Sequence, residues 1–169
     1  MAELTQKERL QPSLLDRLTD NEPELRQESR EKRILSPAKL RESVRRDLTW
    51  LFNTPNLATM VDLAAYPQVA SSVMNFGLPS LAGQTTASID IPEMERLLKQ
   101  AIWAFEPRLN KSSIKVRLVA DPLLMSHNAL SFSIEAELWA QPIPLRLFLK
   151  TEIDLEDGNA VVVDAGSPG

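Results

Sequence analysis

The sequence has no cysteine and a single histidine, His127. The first absence removes disulfide staples, thiolate nucleophiles and Cys-ligated zinc or iron–sulfur sites. The second removes multi-histidine metal centres and leaves at most one histidine base. Glycine is scarce, 5 residues against 12 prolines, so Gly-rich phosphate loops have little to be built from. Only 5% of residues are aromatic, which is thin material for a sugar-stacking cleft. No apolar run approaches the ~18 residues that span a bilayer. Met1–Arg9 is polar and of mixed charge, without the apolar stretch of a signal peptide. These absences lead us to expect a cytoplasmic protein with no metal, no cofactor and no membrane insertion. A net charge of −4 with a pI near 5.1 argues against a nucleic-acid partner.

What remains is 169 residues, 43% hydrophobic and 25% charged, enough for one ordinary domain and an arm. Charge divides the chain. Residues 1–50 carry 11 Lys+Arg against 10 Asp+Glu, and 51–169 carry 8 against 13. Asp20–Arg33 is the densest stretch, with Leu25 its only sizeable apolar residue, and reads as a solvated linker or exposed helix. Before it lies a small apolar island in which Leu14, Leu15 and Leu18 share one face of a helical turn. A helix this short needs its own domain or a partner to dock on. The expected layout is an arm over 1–35, a single domain over 36–164 and a tail over 165–169.

Helical signals come first. Ser36-Pro37 is an N-cap followed by proline at the first helical position, and Leu40, Val44, Leu48 and Leu51 form one stripe ending near Asn53-Thr54-Pro55. A second helix is expected over 67–75, closing at Gly77. A third, from about Asp90, carries Met94, Leu97, Leu98, Ala101, Ile102 and Phe105 on one face and stops at Glu106 before Pro107. The period then changes to two. Ile114, Val116 and Leu118 alternate with Lys115 and Arg117. Leu130–Leu138 and Ile143–Leu155 alternate likewise, and a short strand, 160–163, follows the Asp157-Gly158-Asn159 turn. The reading is an α+β domain, N-terminal helices packed on one face of a mainly antiparallel four-stranded sheet. Its wet face pairs Lys115, Arg117, Arg146 and Lys150 around Glu135 and Glu137. Pro142 and Pro144 mark a strand start, a bulge or an edge, and an open meander leaves edges able to accept another chain's strand.

The densest chemistry is Glu106-Pro107-Arg108, where the third helix meets the sheet. Three readings stay open at this point. The charges dock another protein, or they brace the corner as an internal ion pair. In the third, Glu106 is a general acid for glycoside cleavage, which needs a second carboxylate some 5–10 Å away, and spacing alone cannot put Asp121, Glu135 or Glu137 there. His127 reads as a loop residue, because no nucleophile elbow accompanies it. Trp50, Trp103 and Trp139 read as core or core-edge residues.

Five segments in order, PSLLDRL (12–18), SVRRDLTWLFNT (43–54), SSVMNFGLPSL (71–81), AIWAFEPRL (101–109) and LRLFLKTEIDLEDG (145–158), resemble the TssE family. These are baseplate subunits of bacterial type VI secretion systems, related to the small wedge proteins of contractile-phage baseplates and often labelled lysozyme-like. Phe52 stands where that pattern has an aliphatic residue. The resemblance implies a structural wedge subunit rather than an enzyme, set beside TssF and TssG at the inner face of the cytoplasmic membrane. It implies that Glu106, Pro107 and Arg108 dock the first ring of the contractile sheath. A strand-accepting sheet edge and a wedge-facing arm at Leu14, Leu15 and Leu18 complete that expectation. The opposing expectation is a peptidoglycan-cleaving hydrolase using Glu106.

Overall fold

In the computed structural model the described residues are 13–19, 23–24, 36–119, 128–139 and 144–166. His127, Asp121, Pro142, Ile143 and most of the charged linker lie outside them. Four helices precede the sheet: α1 (Leu14–Leu18), α2 (Pro37–Phe52), α3 (Pro67–Ala70) and α4 (Ile91–Phe105). The strands β1 (Lys115–Val119), β2 (Ala129–Leu138), β3 (Leu145–Asp154) and β4 (Ala160–Asp164) form one antiparallel sheet in the order β1-β2-β3-β4. The short connections between strands allow only this kind of pairing.

Local chemistry sets the helix ends. The Ser36 hydroxyl accepts from the Lys39 N–H and Pro37 opens α2; Asp90 does the same for α4 through the Glu93 N–H. Leu40, Val44, Leu48, Leu51 and Phe52 from α2 and Met94, Leu98, Ala101 and Ile102 from α4 are buried. They meet the dry sheet face, where register brings Val116 opposite Ile134, Ile134 opposite Leu149 and Leu130 opposite Ile153. Leu48, Leu98, Ile102 and Phe132 are at most 1% exposed, each worth about 1.5–3 kcal/mol of apolar transfer. On the other face Lys115 reaches Glu135 at 3.6 Å and Arg146 sits opposite Glu137. Arg117 departs from the expected pairing and turns to Glu95 at 3.8 Å. Pro144 immediately precedes β3 and is exposed, the strand-start position that its missing N–H favours.

Two expectations need correction. The helix expected over 67–75 is two short pieces, α3 and a 3₁₀ turn Val73–Asn75. The Ser71 hydroxyl bonds to the Pro67 and Gln68 carbonyls and the Ser72 hydroxyl to that of Val69. Those local bonds compete with helix continuation. The three tryptophans are not core residues: Trp50, Trp103 and Trp139 are all exposed. Each lies off the apolar stripe or just past a strand end. Trp103 directs its Nε1–H to the Lys111 carbonyl at 2.9 Å, and the Arg46 guanidinium lies over the Trp50 ring, 5.2 Å from its centre.

Candidate functional site: a braced charged corner beside a groove

Helix α4 stops because Pro107 excludes a helical conformation at Glu106, whose backbone φ is −117° as its N–H bonds back to the Ile102 carbonyl at 2.9 Å. The chain then runs straight against β2. Trp139 N–H donates to the Arg108 carbonyl and Asn110 N–H to the Glu137 carbonyl, both at 2.8 Å, making a bridge between Leu109 and Leu138. Helix end and sheet thus hold the three corner residues from both sides.

Glu106 is 2% exposed, and a carboxylate buried that deeply requires a partner. Arg108 supplies it two residues away. Its Nε donates to Glu106 Oε1 at 2.7 Å and its Nη2 to Oε2 at 2.5 Å, while its backbone N–H reaches Oε1 at 3.1 Å. The same guanidinium donates from Nη2 to Asp47 Oδ2 at 2.5 Å and from Nη1 to Ser43 Oγ at 2.9 Å, both on α2. Burial by itself pulls the Arg108 guanidinium down, but the hydrogen bonds and charge of Glu106, then of Asp47, hold it above its ordinary value.

The network reaches into the arm. Ser43, buried at 4%, accepts from Arg108 and donates its hydroxyl to Asp16 Oδ2 at 2.9 Å. Arg46 Nη1 donates to Asp16 Oδ1 at 2.5 Å, and its Nε to Asp47 Oδ1 at 2.9 Å. Partial burial pushes the Asp16 carboxyl up, yet hydrogen bonds from Arg46, Ser13 and Ser43 and the Arg46 charge outweigh it and hold Asp16 at about 2. Helix α1 is therefore fastened by its one acidic side chain. Leu14 and Leu18 point away, at 70% and 74% exposure.

Between α1, α2 and the corner lies a groove of about 410 Å³. Leu48, Leu51, Phe76 and Phe105 give it an apolar floor, and Leu15, Trp50, Pro107 and Arg108 stand around it. Phe76 meets Phe105 edge-on with ring centres 5.2 Å apart.

The structure brings Glu106, Pro107 and Arg108 together as one closed unit and places Leu15 beside it, while Leu14 and Leu18 face outward. Glu135 and Glu137 are on the far face of the sheet and do not approach Glu106. The second carboxylate at the corner is Asp47, with Arg108 Nη2 bound to both. The sequence reading missed Ser43, Asp47, Arg46 and Asp16. Ser43 and Asp47 lie four apart beside the apolar stripe of α2, so their shared face was available as a signal. The contacts of Asp16 with Ser43 and Arg46 cross the linker and had none. Among the described residues no group of three or more His, Asp or Glu side chains could hold a metal ion, and no helix is long and apolar enough to cross a membrane.

The fold is a two-layer α+β domain whose corner between α4 and the sheet is held by a paired charge network. A family model described as baseplate wedge protein gp25 matches residues 38–143, more than half of the chain, and the chain belongs to that family. The match runs from the start of α2 through the corner to just before β3. None of the curated proteins compared with the chain matches it. A baseplate wedge protein is a structural component, and its family implies contact with other baseplate components.

Proposed function

We propose that this chain is the wedge subunit of a type VI secretion baseplate, set beside TssF and TssG at the inner face of the cytoplasmic membrane. Its Glu106-Pro107-Arg108 corner docks the contractile sheath, so that sheath polymerisation begins on the baseplate. The observation that carries this reading is the corner's geometry: charged, rigid on both sides, and beside an open apolar groove. Rigid presentation lowers the entropic cost of binding.

Arg108 has five N–H donors, and four of its hydrogen bonds go to Glu106, Asp47 and Ser43. Little donor capacity is left for a partner. Recognition then falls to Pro107, the groove and the outer rim of Arg108, with the internal pairs fixing register. We assign strand addition by the sheath to β1. The outer edge of β4 is engaged already, since Asn53 exchanges two hydrogen bonds with Ala160, at 2.9 and 2.7 Å, and Arg45 holds the Val162 carbonyl at 3.2 Å. At β1, among the described residues, Glu95 accepts from Leu118 N–H at 2.8 Å, and that side-chain contact has to yield. The chain also passes from the corner into β1 within a few residues. Against the hydrolase reading stands the state of Glu106, buried with both oxygens on Arg108, so that no glycosidic oxygen has access to it.

Charge reversal at Glu106 is a folding lesion, because it buries a cation against Arg108. The test therefore uses Pro107→Ser and Arg108→Lys, the second of which keeps a cation for Glu106 but loses the fork. Pro107→Ser should melt near wild type and Arg108→Lys several degrees lower, since it gives up the fork to Glu106 and the bonds to Asp47 and Ser43. In cells carrying a fluorescent sheath subunit both, checked to be folded at the assay temperature, should keep their baseplate neighbours yet nucleate few sheaths. Wild-type sheath numbers from both variants would overturn the docking role.

A further inference from the structure

Between Asp47 and Asp90 the chain carries one charged side chain, Asp62, although one residue in four is charged overall. No Lys or Arg occurs between Arg46 and Arg96. Much of this stretch forms a surface lobe, residues 55–78, whose ends are tied together. Asn56 N–H donates to the Leu78 carbonyl and Leu78 N–H to the Thr54 carbonyl, each at 2.9 Å. Within the lobe only Leu63, Gly77 and Leu78 are buried. Amide side chains take over the work of a core. Asn75 Oδ1 accepts from Ala58 N–H at 2.9 Å while its Nδ2 donates to the Ala70 carbonyl at 3.0 Å, so one residue binds the turn Leu57–Thr59 to α3. Asn56 Oδ1 accepts from Thr59 N–H at 3.1 Å.

On this tied but coreless lobe Met60 is 81% exposed and Val73 79%, and Val61, Tyr66 and Met74 are exposed as well. Five large apolar side chains are thus left in solvent within fifteen residues of one tied lobe, and exposed apolar surface gathered in one region marks interaction sites. Enrichment in Met and Tyr with depletion of charge is the composition of an interface centre.

We propose that this lobe is a second docking surface, distinct from the corner, and that its occupant is a neighbouring baseplate protein presenting an uncharged, apolar surface. The charge pattern selects the occupant. A highly charged partner would lose its own hydration against the lobe without gaining a counter-charge. An anionic membrane is disfavoured by the absence of any cation in the stretch. The inference rests on membership of the baseplate wedge family and on nothing at the corner.

The test uses the full-length chain in cells that assemble the baseplate. A Met60→Glu/Met74→Glu double variant changes two exposed side chains and should melt within about 2 °C of wild type. It should recover about tenfold less of one identified baseplate subunit in affinity purification. Pro107→Ser, by contrast, should keep that subunit, which separates failure at the lobe from failure at the corner. A photo-crosslinking residue at Tyr66 should join the chain to the same subunit at an uncharged segment. Undiminished recovery of every baseplate subunit by the double variant would overturn the proposal. Crosslinks from Tyr66 only to a second copy of the chain, or only to lipid, would do the same.

Discussion

Replacing Glu106 by Gln keeps the shape of the corner and removes its charge, so it isolates what the carboxylate does. In the native corner both oxygens accept, Oε1 from the Arg108 backbone N–H and Nε, Oε2 from Nη2. Gln retains one acceptor and turns an NH₂ donor toward a guanidinium, which has only donors. Breaking a buried pair by removing one partner costs about 3–5 kcal/mol. Arg108 is not stranded, however, because Asp47 and Ser43 still hold it. That compensation points to the lower end, about 3 kcal/mol, out of a total stability of about 5–15 kcal/mol for a domain of this kind. For a chain of this size it corresponds to a fall in melting temperature of about 6–12 °C. Asp47→Asn should cost less, about 1 kcal/mol or under, because the Asp47 side chain is 28% exposed and its ion pairs are open to solvent. Urea unfolding of the two variants at pH 7 measures both values. A Glu106→Gln loss below 1 kcal/mol, or one smaller than that of Asp47→Asn, would refute the account of Glu106 as the buried anchor of the corner.

Two other expectations concern the arm and the lobe. The Asp16 carboxyl is depressed from 3.8 to about 2, so its contribution to docking α1 is fully present above pH 3.8 and is lost as pH falls through about 2. The amide resonances of Leu15–Thr19, followed by NMR in acid, should shift with a midpoint nearer 2 than 3.8; a midpoint at 3.8 would mean that Asp16 is not held by Arg46 and Ser43. Gly77 has φ of +123°, and a Cβ there would stand 2.0 Å from the Thr54 carbonyl oxygen. Gly77→Ala should therefore cost about 3 kcal/mol or more and loosen the Asn56–Leu78 closure, seen as faster hydrogen exchange across 55–78. Unchanged exchange would show that the closure does not depend on this residue.

The elements were legible where one force dominated. The apolar stripe of α2 and the alternation in β2 name their buried faces from spacing alone, because a side chain's direction is set by the period of its own element. The break between α3 and the following 3₁₀ turn was not legible, since serine hydroxyls decide it by bonding locally to carbonyls that a helix would use. The exposed tryptophans were misread for a related reason. They were read as core or core-edge residues, but Trp50 and Trp103 sit off their helices' buried stripes, half or nearly half exposed, with polar partners at the surface. At the corner the sequence displayed Glu106, Pro107 and Arg108 side by side and left bracing and docking open. Which partners Arg108 chooses depends on how α2 lies over the end of α4, and that is a property of packing.

That packing bears on why the corner is charged at all. A buried ion pair is weak evidence of stability, because well-packed apolar residues of similar volume often do as well. What an apolar pair does not supply is direction. Arg108 is held in one plane by Glu106, Asp47 and Ser43, and Ser43 passes that constraint to Asp16 and so to α1. The three carboxylates and two guanidiniums of this network are mutually paired, and the feature meets its surroundings with little unpaired charge. Under the proposed docking role, a partner laid along the groove would meet a shape already fixed and would not have to strip or reorder a flexible cation. Because α1 closes one side of the same groove through Leu15, a partner gripping the outward leucines of the arm, if the proposed arm contact holds, would act on the groove through Ser43 and Arg46. Arm and corner are in this sense one network, joined through the buried Ser43 hydroxyl and through Arg46, which bridges Asp16 and Asp47.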